Sequence, residues 1–154
     1  MKKMFTLRGV ANSGKTTKIK QIAQWVIDNY PVSIPHNIDV SKGDILGILQ
    51  VNKLRIGFVS AGDDLEQVKR LEQLLSHGNG EDNSENSIDI IVNACRTRGA
   101  GRKYLQTNFN RKTGWLTTNI YVEKFAKTQI TQQIVRDAAL IDELKSWLTG
   151  LEKL

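Results

Sequence analysis

The stretch Leu7–Lys20, LRGVANSGKTTKIK, decides how the fold of this chain is interpreted. Two glycines stand five positions apart in it, and a lysine and two threonines follow the second glycine directly. The apolar run Met4–Arg8 precedes the first glycine and predicts a strand. Apolar residues then recur at helical spacing through Gly14–Tyr30 and predict a helix. A strand, a glycine-containing turn and a helix are therefore expected in direct succession.

The eight residues from Gly9 to Thr16 match the pattern G-x-x-x-x-G-K-[ST] at every fixed position. Such a turn points successive backbone N–H groups at phosphate oxygens, and the helix that begins near Gly14 adds the positive end of its dipole. Lys15 is then expected to bridge the β- and γ-phosphates, and the Thr16 hydroxyl to bind Mg²⁺. Thr17 is expected to donate a hydrogen bond to an α-phosphate.

This strand–loop–helix unit resembles the phosphate-binding loop of the P-loop NTPases. The motif covers eight residues, and the alternation of strands and helices extends the resemblance more loosely to nearly the whole chain. The resemblance implies a three-layer α/β fold of that family and a nucleoside triphosphate bound with Mg²⁺. The residues expected to contact the nucleotide are Gly9, Asn12, Ser13, Gly14, Lys15, Thr16 and Thr17.

The rest of the chain predicts further strands and helices in alternation. Residues 44–60, DILGILQVNKLRIGFVS, form two apolar runs joined at Asn52-Lys53 and predict an antiparallel hairpin. The later elements are a helix over Leu65–Leu75, a buried strand in Ile88–Cys95, a weaker strand in Trp115–Phe125 and a closing helix from Ile130 to Gly150. This order predicts a single domain, 1–154, with a mostly parallel central sheet, one antiparallel hairpin strand and both faces covered.

The net charge of +6 comes from one segment. Six basic residues and no acidic residue lie between Arg96 and Gly114, and without them the chain has 16 basic and 16 acidic residues. This clustering favours a local anion site over a generally basic surface that coats nucleic acid. Nucleic acid is therefore a candidate partner that we do not favour.

Composition also bounds the class of protein. The single cysteine, Cys95, excludes an internal disulfide framework and suits a reducing compartment. No apolar run is long enough for the core of a signal peptide or for a membrane span of roughly 20 residues. We expect a cytoplasmic protein without membrane contact, and the sequence does not indicate its oligomeric state.

The acidic residue that would complete the metal site has two candidate positions. The strand Leu54–Val59 leads into Ser-Ala-Gly and then Asp63 and Asp64, whereas the strand Ile88–Val92 ends in Asn93. We predict Asp63 as the metal residue, with Asp64 in reserve. The alternative is that both carboxylates only cap the following helix.

The hairpin order is similar to that of small GTPases and related switch ATPases, in which Gly62 would sense the γ-phosphate through its backbone N–H. The guanine-reading motif N-K-x-D of that branch is not found at the corresponding strand end, which reads Asn93-Ala-Cys-Arg96. We therefore expect ATP rather than GTP.

Arg96 and Arg98 follow the Ile88–Val92 strand, at the sheet edge where open α/β sheets bind ligands. There they can stabilise charge on a transferring phosphoryl group. The segment that they begin also looks like the arginine-rich lid of small nucleotide kinases, and a solvated basic loop is the plainer alternative.

Three functions follow from these features. The leading one is Mg²⁺-dependent ATP hydrolysis that switches or powers a partner, with Lys15, Asp63, Arg96 and Arg98 as the catalytic residues. The second is a small kinase that passes the γ-phosphoryl group to a nucleotide or metabolite, with Asp63 as the base. The third is a non-catalytic module that senses nucleotide and binds nucleic acid or a protein.

Overall fold

A five-stranded sheet forms the centre of the computed structural model, which describes residues 2–41, 43–78 and 87–149. The strands are β1 (Lys2–Arg8), β2 (Leu46–Val51), β3 (Leu54–Val59), β4 (Ile90–Cys95) and β5 (Trp115–Tyr121). The helices are α1 (Lys15–Asn29), α2 (Leu65–Val68), α3 (Leu71–Gly78), α4 (Ala100–Asn108) and α5 (Ile130–Leu148). The strand order is β2-β3-β4-β1-β5.

All neighbouring strands run parallel except β2, which pairs with β3 in the antiparallel sense. The α/β class and the mostly parallel sheet with one hairpin strand, expected from the sequence, are confirmed. The hairpin closes where Val51 pairs with Leu54. Asn52 adopts a φ of 55° in the turn, a left-handed conformation that asparagine tolerates better than most side chains.

Helices cover both faces of the sheet, because alternate residues of each strand point to opposite faces. Helices α1 and α5 pack on one face, and helices α2, α3 and α4 pack on the other. The first core contains Phe5, Leu7, Ile19, Ile22 and Leu144. The second contains Met4, Ile91, Leu71, Leu105 and Phe109. Strand β4 is buried throughout, as its unbroken apolar run predicts.

The basic segment between Arg96 and Gly114 does not have the structure that we expected from the sequence. Helix α4 and a turn of 3₁₀ helix at Arg111–Thr113 occupy it, where we expected an arginine-rich lid or a solvated loop. Leu105 and Phe109 lie four residues apart, and both are buried. Phe109 packs edge-on against Trp115, with ring centroids 5.3 Å apart. This apolar contact fixes the segment to the sheet.

The predicted helix over Leu65–Leu75 is also different, because it is two helices. The backbone hydrogen bonds shift from four-residue to three-residue spacing where Arg70 N–H donates to the Gln67 carbonyl, which separates α2 from α3. The expected end of the closing helix at Gly150 lies outside the described residues. Among the described residues, no helix has the length and apolar character needed to cross a membrane.

Candidate functional site

The glycine-containing turn lies between β1 and α1, at the edge of the sheet where β1, β3 and β4 end. Gly14 is the N-cap residue of α1 and has a φ of 97°, which glycine adopts without the steric penalty that a side chain incurs. No side chain caps this helix. Its first backbone N–H groups are therefore available to an anion bound at the turn.

Lys15 is enclosed by the turn that precedes it. Its side chain is only 5% exposed, and Nζ donates hydrogen bonds to the carbonyl oxygens of Gly9 at 2.7 Å and Val10 at 2.8 Å. Asp63 Oδ1 lies 3.4 Å from the same nitrogen. Burial lowers the pKa of Lys15, and the Asp63 carboxylate opposes that shift. The turn thus holds a desolvated ammonium with one carboxylate beside it.

Thr16 meets a carboxylate that the sequence analysis did not select. Its hydroxyl lies 3.1 Å from Asp44 Oδ1 and 3.2 Å from the Ser60 carbonyl oxygen. The buried Ser60 hydroxyl donates to Asp44 at 3.1 Å and accepts a hydrogen bond from the Ile45 N–H at 2.7 Å. Thr16 and Ser60 together hold Asp44 at the turn.

Chain direction explains how Asp44 reaches this edge. Because β2 is antiparallel, its first residue pairs with the last residue of β3, Leu46 with Val59. Ile45 and Ser60 flank that pair and are hydrogen-bonded to each other. Asp44 precedes Ile45 and so lies within reach of the Ser60 hydroxyl. The sequence signal was an aspartate that opens the first hairpin run, whereas a metal-binding acid was expected only after a strand.

The two predicted metal carboxylates have different partners. Asp64 caps α2 by accepting a hydrogen bond from the Gln67 N–H at 2.8 Å, so the capping alternative is confirmed for this residue. Asp63 faces Lys15 instead. A cavity of about 340 Å³ is lined by Asn12, Ser13, Gly14, Lys15, Thr16, Thr17 and Asp63. The structure therefore brings most of the predicted nucleotide residues together around one space.

The two predicted catalytic arginines lie just after β4, and both are exposed. The positive charge of Arg96 is close enough to contribute to the lowered pKa of Lys15. Arg98 is not among the groups that shift this pKa. The charge of Arg96 therefore acts on Lys15 in the turn, whereas the charge of Arg98 does not contribute to the lowered pKa of Lys15.

A second cavity lies on the other side of the turn and was not predicted. Its volume is about 530 Å³, and it is lined by Asn12, Ser13, Gly14, Lys124, Phe125, Lys127, Gln133 and Arg136. The Arg136 guanidinium lies 5.8 Å from the Phe125 ring centroid and donates hydrogen bonds to the Glu123 carbonyl and to Asp137. No motif marks these residues, which lie more than 100 positions from the turn.

Asn93, a polar residue in the otherwise apolar strand β4, is hydrogen-bonded to the neighbouring strand β1. Its Oδ1 accepts a hydrogen bond from the Thr6 hydroxyl at 2.7 Å, and both side chains are buried. Thr6 lies opposite Asn93 in the β1–β4 pair. This contact joins two central strands.

Comparison of the chain with protein-family models found no match, and no curated protein or solved structure matches it significantly.

Proposed function

We propose that this chain is a small P-loop NTPase that binds a nucleoside triphosphate, ATP in preference, and hydrolyses it with Mg²⁺. The observation that carries the proposal is the buried Lys15 ammonium. It is hydrogen-bonded to the carbonyl oxygens of Gly9 and Val10, within a complete G-x-x-x-x-G-K-T turn. A desolvated, fixed cation at a helix N-terminus stabilises phosphate charge far better than a solvated lysine does.

The phosphate chain would occupy the cavity of about 340 Å³ that Lys15 and Thr17 line. Ser13 supports this assignment, since it borders both cavities and is only 2% exposed. Its Oγ has no hydrogen-bond partner among the described residues. A buried hydroxyl of this kind is costly without a partner, and a phosphate oxygen would supply one.

Thr16 and Asp44 fit a magnesium ion by the chemistry of their donors. A hydroxyl and a carboxylate are hard oxygen ligands, and Mg²⁺ usually takes only one or two carboxylates from the protein. Among the described residues, no three His, Cys, Asp or Glu side chains form a metal cluster. When bound, the ion would neutralise charge on the phosphate oxygens. This proposal assigns Asp44 to the metal and Asp63 to the positioning of Lys15.

The base of the nucleotide has a candidate binding cavity. Phe125 lines the cavity of about 530 Å³ that borders the turn on the side away from Asp63, and its ring offers a surface on which a base can stack. Arg96 would stabilise the charge that develops on the γ-phosphoryl group. Arg98 remains a second candidate for that role, because it follows the same strand end.

The central test compares ATP turnover by the parent chain, Lys15→Ala and Lys53→Ala in Mg²⁺. Lys53 lies in the hairpin turn, at the opposite end of β2 from Asp44, and serves as the matched control. We expect Lys15→Ala to lower turnover roughly 100- to 1,000-fold, the scale of a lost preorganised contact to transition-state charge. Lys53→Ala should retain the parent rate. Parent-like turnover by Lys15→Ala would show the proposal to be wrong.

Arg96→Ala and Arg98→Ala separate the roles of the two arginines. A contact that strengthens in the transition state should lower kcat with little change in ATP affinity. We expect that result for Arg96→Ala and a smaller effect for Arg98→Ala. If both variants turn over ATP normally but bind nucleic acid more weakly, the basic segment serves nucleic acid instead.

A kinase activity is the second candidate, and one observation favours it. A cleft of about 510 Å³ is lined by Pro35, His36, Asn37 and Leu46, among other residues, and Leu46 is two residues from Asp44. A phosphoryl acceptor bound there would lie close to the proposed metal site. Measuring turnover with a panel of nucleosides, nucleotides and small metabolites tests this, because a kinase should consume ATP much faster with its acceptor present.

A further inference from the structure

Helix α5 presents an apolar stripe to solvent in its first half. Ile130, Ile134 and Val135 are 62%, 63% and 65% exposed. The residues that bury this helix against the sheet lie further along it, at Leu140, Leu144 and Leu148. Branched aliphatic side chains this exposed on one helix are typical of a surface that contacts a partner.

The stripe has opposite charges at its two ends. The exposed Lys127 lies three residues before the helix begins, and the exposed Asp142 follows the stripe in its second half. Ala138 lies between Ile134 and Asp142 on the same face, four residues from each, and leaves room for a close approach of another helix. Positive charge, apolar side chains, a small residue and negative charge therefore succeed one another along α5.

We propose that this stripe binds a second copy of the chain, with the two α5 helices antiparallel. Lys127 lies in the turn that precedes α5, and Asp142 lies in the second half of the helix. A two-fold axis between Ile134 and Val135 would place Ile134 of each copy against Val135 of the other. The same axis would bring Lys127, just before each helix, toward Asp142 in the second half of the other. An isologous contact requires such a self-complementary surface, and the order of charges along α5 provides it.

The edge of the sheet extends the same surface. Strand β5 is the last strand of the sheet, and its Tyr121 is 55% exposed. Tyr121, Val135 and Ala139 border a groove of about 600 Å³ between β5 and α5. Stable interfaces bury roughly 800 Å² on each partner, which one helix stripe does not supply alone. We therefore expect a weak dimer whose population rises with protein concentration.

Sedimentation velocity over a concentration series tests the surface without reference to any activity. We expect the parent chain to dimerise and Ile134→Asp to raise the dissociation constant at least ten-fold, because it places two carboxylates in the apolar centre of the contact. Ile34→Asp is the matched control, since Ile34 is 85% exposed in the loop before β2, on the other edge of the sheet. Circular dichroism confirms that each variant is folded.

A charge exchange tests the antiparallel arrangement. Lys127→Glu and Asp142→Lys should each weaken the dimer several-fold, because each creates two like-charge contacts. The double variant should associate like the parent, since the opposite charges then meet again. A parent chain that stays monomeric up to about 500 µM, or an Ile134→Asp variant that dimerises normally, overturns the proposal. A double variant as weak as the single ones overturns the antiparallel pairing.

Discussion

Asp44 contacts Thr16 although 28 residues separate them in the chain. The carboxylate accepts hydrogen bonds from two hydroxyls, those of Thr16 and Ser60. The proposed metal role of Asp44 would give the hairpin a chemical role beyond packing, because Asp44 lies two residues before β2.

Replacing Asp44 by asparagine tests this role. Asp44→Asn retains the shape of the side chain but removes its charge, so we expect turnover to need more Mg²⁺ and to fall about 10- to 100-fold, the range seen when the surroundings of a metal are altered. Turnover measured against Mg²⁺ concentration checks this expectation. Asp64→Asn is the control, because Asp64 caps α2, and it should affect stability more than metal dependence. Equal effects of the two changes would return the metal assignment to Asp63.

The burial of Cys95 leads to a prediction about the reactivity of its thiol. Its side chain is 1% exposed, and burial raises the pKa of the thiol to about 11. Since the thiolate is the reactive form, only about one molecule in a thousand carries it at pH 8. We expect an aromatic disulfide reagent to react with the native chain far more slowly than with the chain in denaturant. A native thiol that reacts at the rate of an exposed one would contradict the burial.

Local and distant contacts differed in how far the sequence predicted them. Gly14, Lys15 and Thr16 were expected to lie together from the sequence, and they line one cavity, because they are consecutive residues of a short turn. Their nucleotide role stays a prediction. Asp44 and Arg136 were missed, because their positions depend on how the hairpin and α5 dock on the sheet. No local pattern in the sequence contains that information.

At the scale of elements, the segment after β3 runs close against β4. A Cβ added at Gly62 would overlap the carbonyl group of Ala94. Close packing therefore accounts for this glycine, whereas its proposed role as a sensor of the γ-phosphate stays a prediction. The segment carries Asp63 toward Lys15, so the position of the carboxylate depends on this close approach.

Gly62→Ala should destabilise the fold for this reason. Overpacking against a rigid backbone typically costs 1–3 kcal/mol, so we expect a loss of about 2 kcal/mol in the free energy of unfolding. Urea denaturation measures the change. Gly43→Ala is the control, because a Cβ added there would meet nothing within 4 Å. Identical unfolding curves for the two variants would contradict the close approach.

The secondary-structure elements differ in how well the sequence predicted them. The hairpin was predicted correctly because two apolar runs meet at a short polar turn. Helix α4 was missed because Leu105 and Phe109 are the only buried residues between Arg96 and Gly114, a segment rich in arginine, lysine and glycine. Two apolar positions are too few for a helical period to be recognised.

At the scale of the whole molecule, ligand binding should appear as added stability. A ligand that binds only the folded chain stabilises it by about 2.7 kcal/mol at 100 times its dissociation constant. For a chain of this length, that corresponds to a rise in Tm of roughly 5–10 °C. We expect this rise with ATP and Mg²⁺ together, measured by thermal unfolding. Lys15→Ala should not show it, and a parent chain whose Tm is insensitive to nucleotide would contradict the proposed binding.

The class of the whole fold was predictable from the alternation of elements, whereas the strand order was not. Placing β1 between β4 and β5 depends on which faces α1 and α5 cover together, and single-sequence periodicity does not report that. The antiparallel pairing of β2 was predicted because its partner is adjacent in the chain.

Helix α5 takes part in both proposed binding events, which has a thermodynamic consequence. Arg136 lies beside Gly14 in the cavity assigned to the nucleoside, and Val135, the adjacent residue, belongs to the exposed stripe. Two equilibria that share one rigid element are subject to reciprocity. Whatever factor nucleotide applies to the association of two chains, association must apply to nucleotide affinity. Measurements of nucleotide affinity at low and high protein concentration would then differ by an amount that also reports the strength of the dimer.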